Sequence, residues 1–283
     1  MRSPKLPVTA LCRALRVSAS GFYAWLDRGP SARELEDRQI LERVRYYFAR
    51  AKETYGARRI HMDLLDEGLQ IGRCRVERLM RENGLQGITK RLRRRIRQLQ
   101  DDGLHAMDLV KRAWHPAGPN ELWVADITQI NTWEGPLYLA AVMDVWSRRI
   151  VGWAMADNMR AELVVSAFEM AVSRRRPTPG LVHHSDHGSQ YTSYVMGKKL
   201  RDAGVLASMG QVRTCYDNAV AESFFATLKK DRTNRRSWPT RELLRSEVFD
   251  FIEGWYNPHR RHSSLGGVSP AEWERTNTLT QVA

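Results

Sequence analysis

Three cysteines in 283 residues, Cys12, Cys74 and Cys215, are too few and too scattered to build a disulfide framework. No two of them stand in a C-x-x-C spacing, so neither a thiol redox pair nor a cysteine zinc site is expected. No run of about 18 apolar residues occurs, and the first residues lack the apolar core of a secretory signal. A soluble, cytoplasmic chain in a reducing compartment, with no membrane partner, is the expectation. The phosphate loop G-x-x-x-x-G-K-[ST] is also missing, because Gly197-Lys198-Lys199 has neither the upstream glycine nor the Ser/Thr. Nucleotide hydrolysis is therefore not expected. No internal repeat or low-complexity tract appears.

Positive charge is abundant and unevenly placed. The net charge is +13. Residues 1–100 hold 23 Lys/Arg against 11 Asp/Glu, while residues 101–283 hold 22 against 21. A basic region beside a near-neutral one implies a polyanion-gripping module joined to something else. The length suggests about two domains, and the apolar content of 42% is enough for packed cores.

The first third reads as helical. Val8 to Val17 carries a helical apolar stripe, Ser18-Ala19-Ser20-Gly21 breaks it, and Phe22 to Leu26 follows, in the manner of a helix-turn-helix. Arg33 to Arg50 reads as a longer amphipathic helix. A second hairpin runs Arg58–Glu67 and Arg73–Glu82, with Leu64, Leu65, Val76, Leu79 and Met80 as its buried stripe. Arg58, Arg59, Arg73, Arg75 and Arg78 are left as a basic outer face. Residues 90–97 hold six basic residues in eight, Arg91, Arg93, Arg94 and Arg95 among them. Such a run repels itself unless it meets an anion, so it reads as a linker tracking phosphate.

From residue 121 the pattern changes. Leu122–Ile130, Leu137–Val145 and Arg149–Met155 read as an antiparallel meander, with turns at Glu134-Gly135-Pro136 and Ser147-Arg148. Ala161–Arg174, Ser193–Ala203 and Asp217–Lys230 read as helices, and Leu181–Ser185 and Leu206–Met209 as short strands. Leu243–Trp255 is a further helix. Periodicity alone gives an α/β or α+β class.

Three carboxylates stand out within this region. Asp126 lies in Trp-Val-Ala-Asp-Ile-Thr, Asp186 in His-His-Ser-Asp-His-Gly-Ser-Gln-Tyr, and Glu222 in Asp-Asn-Ala-Val-Ala-Glu-Ser-Phe-Phe. The first two are separated by 59 residues and the second pair by 35. Apolar residues run into both aspartates, as strands ending at a pocket would, while Glu222 falls on a helix. Carboxylates converging from strand ends and a helix can hold two Mg²⁺ ions for in-line phosphoryl transfer. Asp144, at the end of the second strand, is a competitor carboxylate for which a structural role is expected. His183, His184 and His187 flank Asp186 without a cysteine pair, so a histidine-ligated metal is not expected. Trp123, Trp255 and Tyr256 read as core. Gln190 lies in a loop positioned to hold DNA, and Asn257, Arg260, Arg261 and His262 are clustered, polar candidates for DNA contact.

The carboxylate pattern resembles that of DDE transposases and retroviral-type integrases. The words WVADIT, LYLAAVMDVWSRRIVGW, HSDHGSQY, CYDNAVAESFFATLK and YNPHRRHSSLGGVSP, in that order, resemble the OrfB half of an insertion-sequence-three family transposase from about residue 8 to about residue 273. The resemblance implies a ribonuclease-H-like core preceded by an all-α helix-turn-helix region. The domains expected are a helical region at 1–88, a basic linker at 89–119, a catalytic core at 120–235 and a DNA-contacting helical tail at 236–283. It implies Asp126, Asp186 and Glu222 as the catalytic, metal-holding triad, with two Mg²⁺ or Mn²⁺ ions. It implies DNA contact by Lys229, seven residues past Glu222, and Asn218 shares that helix face at i−4. The implied chemistry is release of a 3′-OH at an element end and its attack on a phosphodiester, through a circular intermediate. The implied partners are the terminal inverted repeats, target DNA, further copies of the chain in at least a dimer, and an upstream OrfA product. A ribonuclease-H-like hydrolytic nuclease and a non-catalytic DNA-binding regulator remain open as alternatives.

Overall fold

A computed structural model describes residues 7–88, 116–186, 188–209 and 219–280. The basic run at 90–97, most of the 89–119 linker, His187, Cys215, Asp217 and Asn218 lie outside the described residues. The chain divides into two compact units, 1–89 and 90–283.

The first unit is helical: α1 (Val8–Ala14), α2 (Ala19–Leu26), α3 (Ala32–Arg50), α4 (Ala57–Asp66) and α5 (Arg73–Glu82). Ser18 caps the second helix, as expected of the Ser18–Gly21 segment, but the break is shorter than four residues. The Ser18 Oγ accepts the Gly21 N–H at 2.8 Å, so the helix begins at Ala19. α3 opens with a capping box, in which Glu34 N–H donates to Ser31 Oγ and Ser31 N–H to Glu34 Oε2. Ile40, Val44 and Phe48, at i, i+4 and i+8, bury one stripe of α3. α3, α4 and α5 pack against one another, burying Ile60, Leu64, Val76, Leu79 and Met80 as well. In α1 and α2, by contrast, Cys12 alone is buried.

The basic outer face expected here is smaller than its sequence suggests. Asp37 on α3 accepts from both Arg75 and Arg78 at 2.6 Å, and the same two guanidinium groups also reach Glu36 and Glu82. Arg73 pairs with Glu77 at 3.0 Å, and Arg59 lies 5.0 Å from the Tyr55 ring centre. Arg58 is exposed.

The second unit is a five-stranded mixed sheet in the order β3-β2-β1-β4-β5. β1 (Leu122–Thr132), β2 (Gly135–Asp144) and β3 (Ile150–Ala156) form the antiparallel meander, while β4 (Val182–Ser185) and β5 (Leu206–Met209) run parallel to β1. Alternation sends Trp123, Ala125, Ala140, Val142 and Val151 to one face, where they meet Leu163, Val164, Phe168 and Ala171 of α6 (Ala161–Arg175). α6 can approach this closely because β3 carries Gly152; a Cβ there would lie 2.1 Å from Ala167 O. α7 (Tyr194–Asp202) contributes Met196 and Leu200 to the same core.

α8 (Ala219–Leu228) packs on β1 and β2 and runs on as a π-helical turn, Lys229–Thr233. α9 (Arg241–Phe249) likewise continues as a π-helical stretch, Asp250–Tyr256, and then α10 (Asn257–His259). Phe224, Phe251 and Tyr256 stack together, Phe224 meeting Tyr256 edge-on at 4.9 Å. α11 (Pro270–Thr280) closes the unit. Its Glu274 is joined to Arg149 and Arg175, and Arg175 in turn reaches Asp144 at 3.2 Å. The segment expected to be a DNA-contacting tail is thus folded onto the sheet.

Candidate active site

The parallel pairing of β1 and β4 carries the argument. Leu122 pairs with Val182, Trp123 with His183 and Val124 with His184. Continuing that register by two residues sets Asp126 opposite Asp186. Directly opposed residues of parallel strands share a face and stand about 4.8 Å apart. Asp126 is half-buried and accepts the Ile127 N–H at 2.8 Å. Asp186, one residue past the end of β4, is exposed and accepts the Gly188 N–H at 3.1 Å. A Cβ on Gly188 would lie 3.1 Å from that same carboxylate oxygen, so the loop folds tightly around it because no side chain intervenes.

Tyr191 lies beside both aspartates. Burial raises its phenol well above the ordinary range, and the charges of Asp126 and Asp186 push it further the same way. Its hydroxyl is buried and has no hydrogen-bond partner among the described residues. The neighbouring histidines belong to the sheet interior. Burial, with the nearby His184, holds His183 neutral with a pKa of about 4, and its ring meets Phe168 edge-on at 5.5 Å. His184 Nδ1 lies 2.9 Å from Ser208 Oγ.

Glu222 sits on the exposed side of the first turn of α8, opposite the buried Val220, Ala221, Phe224, Phe225 and Leu228. Among the described residues, no three carboxylate, imidazole or thiol groups gather closely enough to hold a metal ion. Asp126 and Asp186 share Tyr191 as a neighbour, since both charges act on its phenol. Lys229 stands half-buried where the α-helix becomes a π-turn. It lines a cleft with the far end of β1.

Asp144 is fully buried and is a structural group. It accepts from the N–H groups of Asn120 at 2.8 Å and Trp146 at 2.9 Å, and it faces Arg175. Burial raises its pKa, against the pull of these donors.

Two DNA-contact expectations are overturned by burial. Asn257 is 4% exposed, and its amide both donates to Ile150 O and accepts from Ile150 N–H, each at 2.9 Å. Arg260 is 7% exposed and donates to Asp231 at 2.5 Å. Neither can present its polar atoms to a phosphate while these bonds stand. Arg261 donates to Gly267 O at 3.0 Å, and the His262 ring stands edge-on to Tyr256 at 5.0 Å. The Gln190 amide donates to Met159 O at 3.0 Å and ties its loop to the segment before α6.

Sequence reasoning passed over Trp133, and it read Tyr191 only as part of the Gly188–Tyr191 loop that positions DNA, not as a buried phenol beside the aspartates. The signal for the first was an aromatic residue directly before a Glu-Gly-Pro turn. For the second it was a tyrosine five residues past a strand-ending aspartate.

The mixed sheet, its flanking helices and the paired aspartates define a ribonuclease-H-like integrase core of the polynucleotidyl-transferase type, preceded by a helix-turn-helix-like region. Residues 116–215 and 203–270 match two integrase core domain families, and residues 34–95, which span α3 to α5, match an HTH-like domain. The chain is 37% identical over 273 residues to the transposase InsF for insertion sequence IS3A of Escherichia coli strain K12, covering 95% of this chain and 94% of that protein. It is 39% identical over 261 residues to the insertion element IS600 31 kDa protein of Shigella sonnei, covering 92% and 96%. The chain belongs to the IS3 family of insertion-sequence transposases. A solved magnesium complex of the HTLV-2 integrase catalytic core is similar at 15% identity, with a TM-score of 0.42, over 54% of this chain and 95% of that one.

Proposed function

We propose that Asp126, Asp186 and Glu222 are the catalytic carboxylates, and that the chain cuts the 3′ ends of an insertion sequence and joins them to new phosphodiesters. The observation that supports this most is that β1 and β4 pair in parallel up to Val124 and His184, each two residues before an aspartate, and that both aspartates act on Tyr191. All three candidate ligands are carboxylates, which suits a hard, oxygen-seeking divalent cation. Two Mg²⁺ or Mn²⁺ ions held there would supply charge stabilisation to the attacking and leaving oxygens.

The protein's own residues hold and aim the DNA. Lys229, on the helix that carries Glu222, meets a phosphate beside the reacting one. Asn218 and Gln190 contact the DNA, and Glu222 completes the set of three carboxylates. In the joining step the 3′-hydroxyl oxygen forms a bond to phosphorus as the bond from phosphorus to its former 3′-oxygen breaks. The hydroxyl proton leaves the attacking oxygen, and the departing 3′-oxygen is protonated. One phosphodiester replaces another, so no nucleotide is consumed.

Residues 120–235 act as the core and residues 236–283 buttress it. Arg58, Arg59, Arg73 and the run holding Arg91, Arg93, Arg94 and Arg95 grip flanking DNA. The terminal inverted repeats and target DNA are the partners. At least two copies work together, with the OrfA product fused or associated, on a circular intermediate at the nucleoid. Among the described residues no helix is long and apolar enough to cross a membrane.

The test is strand joining, with Mg²⁺ or Mn²⁺, a labelled duplex bearing an element end, a plasmid target and the upstream product. Asp186→Asn and Glu222→Gln are expected to lower joining by on the order of 10³-fold with unchanged far-UV circular dichroism. Nicking without joining, lost in both variants, would instead favour a hydrolytic nuclease.

A further inference from the structure

β4 covers β1 only along Leu122–Val124. Beyond Val124, among the described residues, β1 pairs with β2 alone, and its other edge borders a cleft of about 620 Å³. The floor and one wall are β1 itself, with Gln129 and Asn131 exposed. The opposite wall is the π-turn after α8 and the segment to Trp238. None of the residues lining it is acidic, while Lys229 and Arg236 are cationic.

The walls are fixed. Trp133 N–H donates to Trp238 O at 2.9 Å, and the buried Trp238 indole donates to Thr233 O at 2.9 Å. The hairpin tip is held from its other side by Arg241, whose N–H donates to Glu134 at 2.8 Å and whose side chain donates to Pro136 O at 3.1 Å. On this rigid tip the Trp133 side chain is 76% exposed. Across from it the Arg236 guanidinium lies 4.2 Å from the Trp238 ring centre, with one edge turned to Glu247 at 3.1 Å. An exposed indole gains nothing from water. Held beside two cations and a pair of amides, it is a stacking platform in a channel that attracts phosphate.

We infer that this cleft binds a DNA strand leading away from the reacting phosphodiester, with an unpaired base stacked on Trp133 and its phosphates on Lys229 and Arg236. The inference rests on the transferase reading for its direction. Seven residue steps, from Asp126 in β1 to Trp133 just past its end, make a path of about 23 Å, equal to about seven base-pair rises of duplex. A strand whose ends meet the aspartates and this tip must leave the duplex near the tip for a base to stack. The amides of Gln129 and Asn131, bonded to each other at 2.8 Å, face the strand between them. They offer both donors and acceptors, and so tolerate any base sequence.

The experiment uses the full chain and an element-end duplex, with 2-aminopurine placed at successive positions from two to ten nucleotides from the cleaved phosphodiester. Binding should quench the probe at one or two adjacent positions. Trp133→Ala should abolish that quenching and weaken binding about tenfold, Trp133→Tyr should restore most of both, and Arg236→Ala should weaken binding and leave the quenched position unchanged. Glu222→Gln, which removes joining in the transferase reading, should leave the quenching intact. Quenching and affinity equal to wild type in Trp133→Ala would overturn the inference. So would a Trp133→Ala variant that alters only the sedimentation of the protein, which would mark the tip as an interface between copies. Loss of joining in every preparation with Trp133-dependent quenching retained would sink the transferase reading and leave the cleft. Normal joining without Trp133-dependent quenching would do the reverse.

Discussion

Asn257 occupies both backbone groups of Ile150, a residue 107 positions earlier. It completes the start of an edge strand with a side chain, on the side where no neighbouring strand is available. Truncation leaves a buried donor and a buried acceptor without partners, so Asn257→Ala is expected to lower stability by about 2–4 kcal/mol. Urea unfolding measures this. DNA affinity of the folded fraction should stay at the wild-type level, and a loss of affinity without a loss of stability would return Asn257 to the DNA surface. The reason for the misreading is physical. A polar cluster on a surface and a polar bracket in a core have the same composition, and only the partner tells them apart. For Asn257 that partner is in β3, and for Arg260 it is Asp231, 29 residues away. Asp126 and Asp186 were legible because each ends an apolar run within its own few residues, so the setting is local even though the pairing is not. Asp144 was legible as structural only through the resemblance to the family, which has an aspartate at this place outside the triad. Its actual donors, from Asn120 and Trp146, include one that sequence reading did not reach.

At the scale of elements, the strands and helices of the second unit follow the periodicity closely, with Leu206–Met209 placed as expected and most other ends moved by one or two residues. The π-helical stretches did not show in the sequence. They cost helix geometry and form here because Asp231, Arg232 and Phe251, Ile252 must all turn inward. Gly152 is the clearest dependence of one element on another. Gly152→Ala forces α6 off β3 and is expected to lower stability by about 1–3 kcal/mol, read as a reduced urea midpoint with an unchanged slope.

α11 is held by Trp273 edge-on to Trp146 and by the Glu274 ion pairs, and the pH dependence of those pairs can be given a sign. Burial works to raise the Glu274 carboxyl, but hydrogen bonds and charge from Arg175, with Arg149, more than offset it, and its pKa lies below the ordinary value. A lowered folded-state pKa contributes stability above the unfolded value, and that stability is lost as pH falls through the folded value. Asp144, raised by burial, works in the opposite direction on acidification. Glu274→Gln should therefore be less stable than wild type at pH 7. The gap in melting temperature should narrow between pH 5 and pH 3. A gap that widens on acidification would show that Glu274 is not the anchor of α11.

For the whole molecule, charge is the property that sequence and structure describe differently. Residues 1–100 carry a net charge of +12. Within α3 to α5, however, Arg75 and Arg78 are already matched to Asp37, so the cations free to meet phosphate are fewer than the count. A cation held by a carboxylate at 2.6 Å neutralises no phosphate, so the DNA keeps its condensed counterions there and the salt slope does not steepen. The logarithm of affinity for a nonspecific duplex should fall steeply with the logarithm of salt, by about 0.9 for each phosphate neutralised. Deleting residues 90–97, which removes six cations, should flatten that slope by up to about five. Arg58→Ala should flatten it by about one. Arg75→Ala should leave it nearly unchanged and lower the stability of the helical unit, because it strips a partner from Asp37. An unchanged slope after the deletion would exclude the basic run as the phosphate contact. A slope that falls equally in Arg58→Ala and Arg75→Ala would show that ion-paired arginines exchange their partners for DNA, and the basic face would then be as large as its sequence suggests.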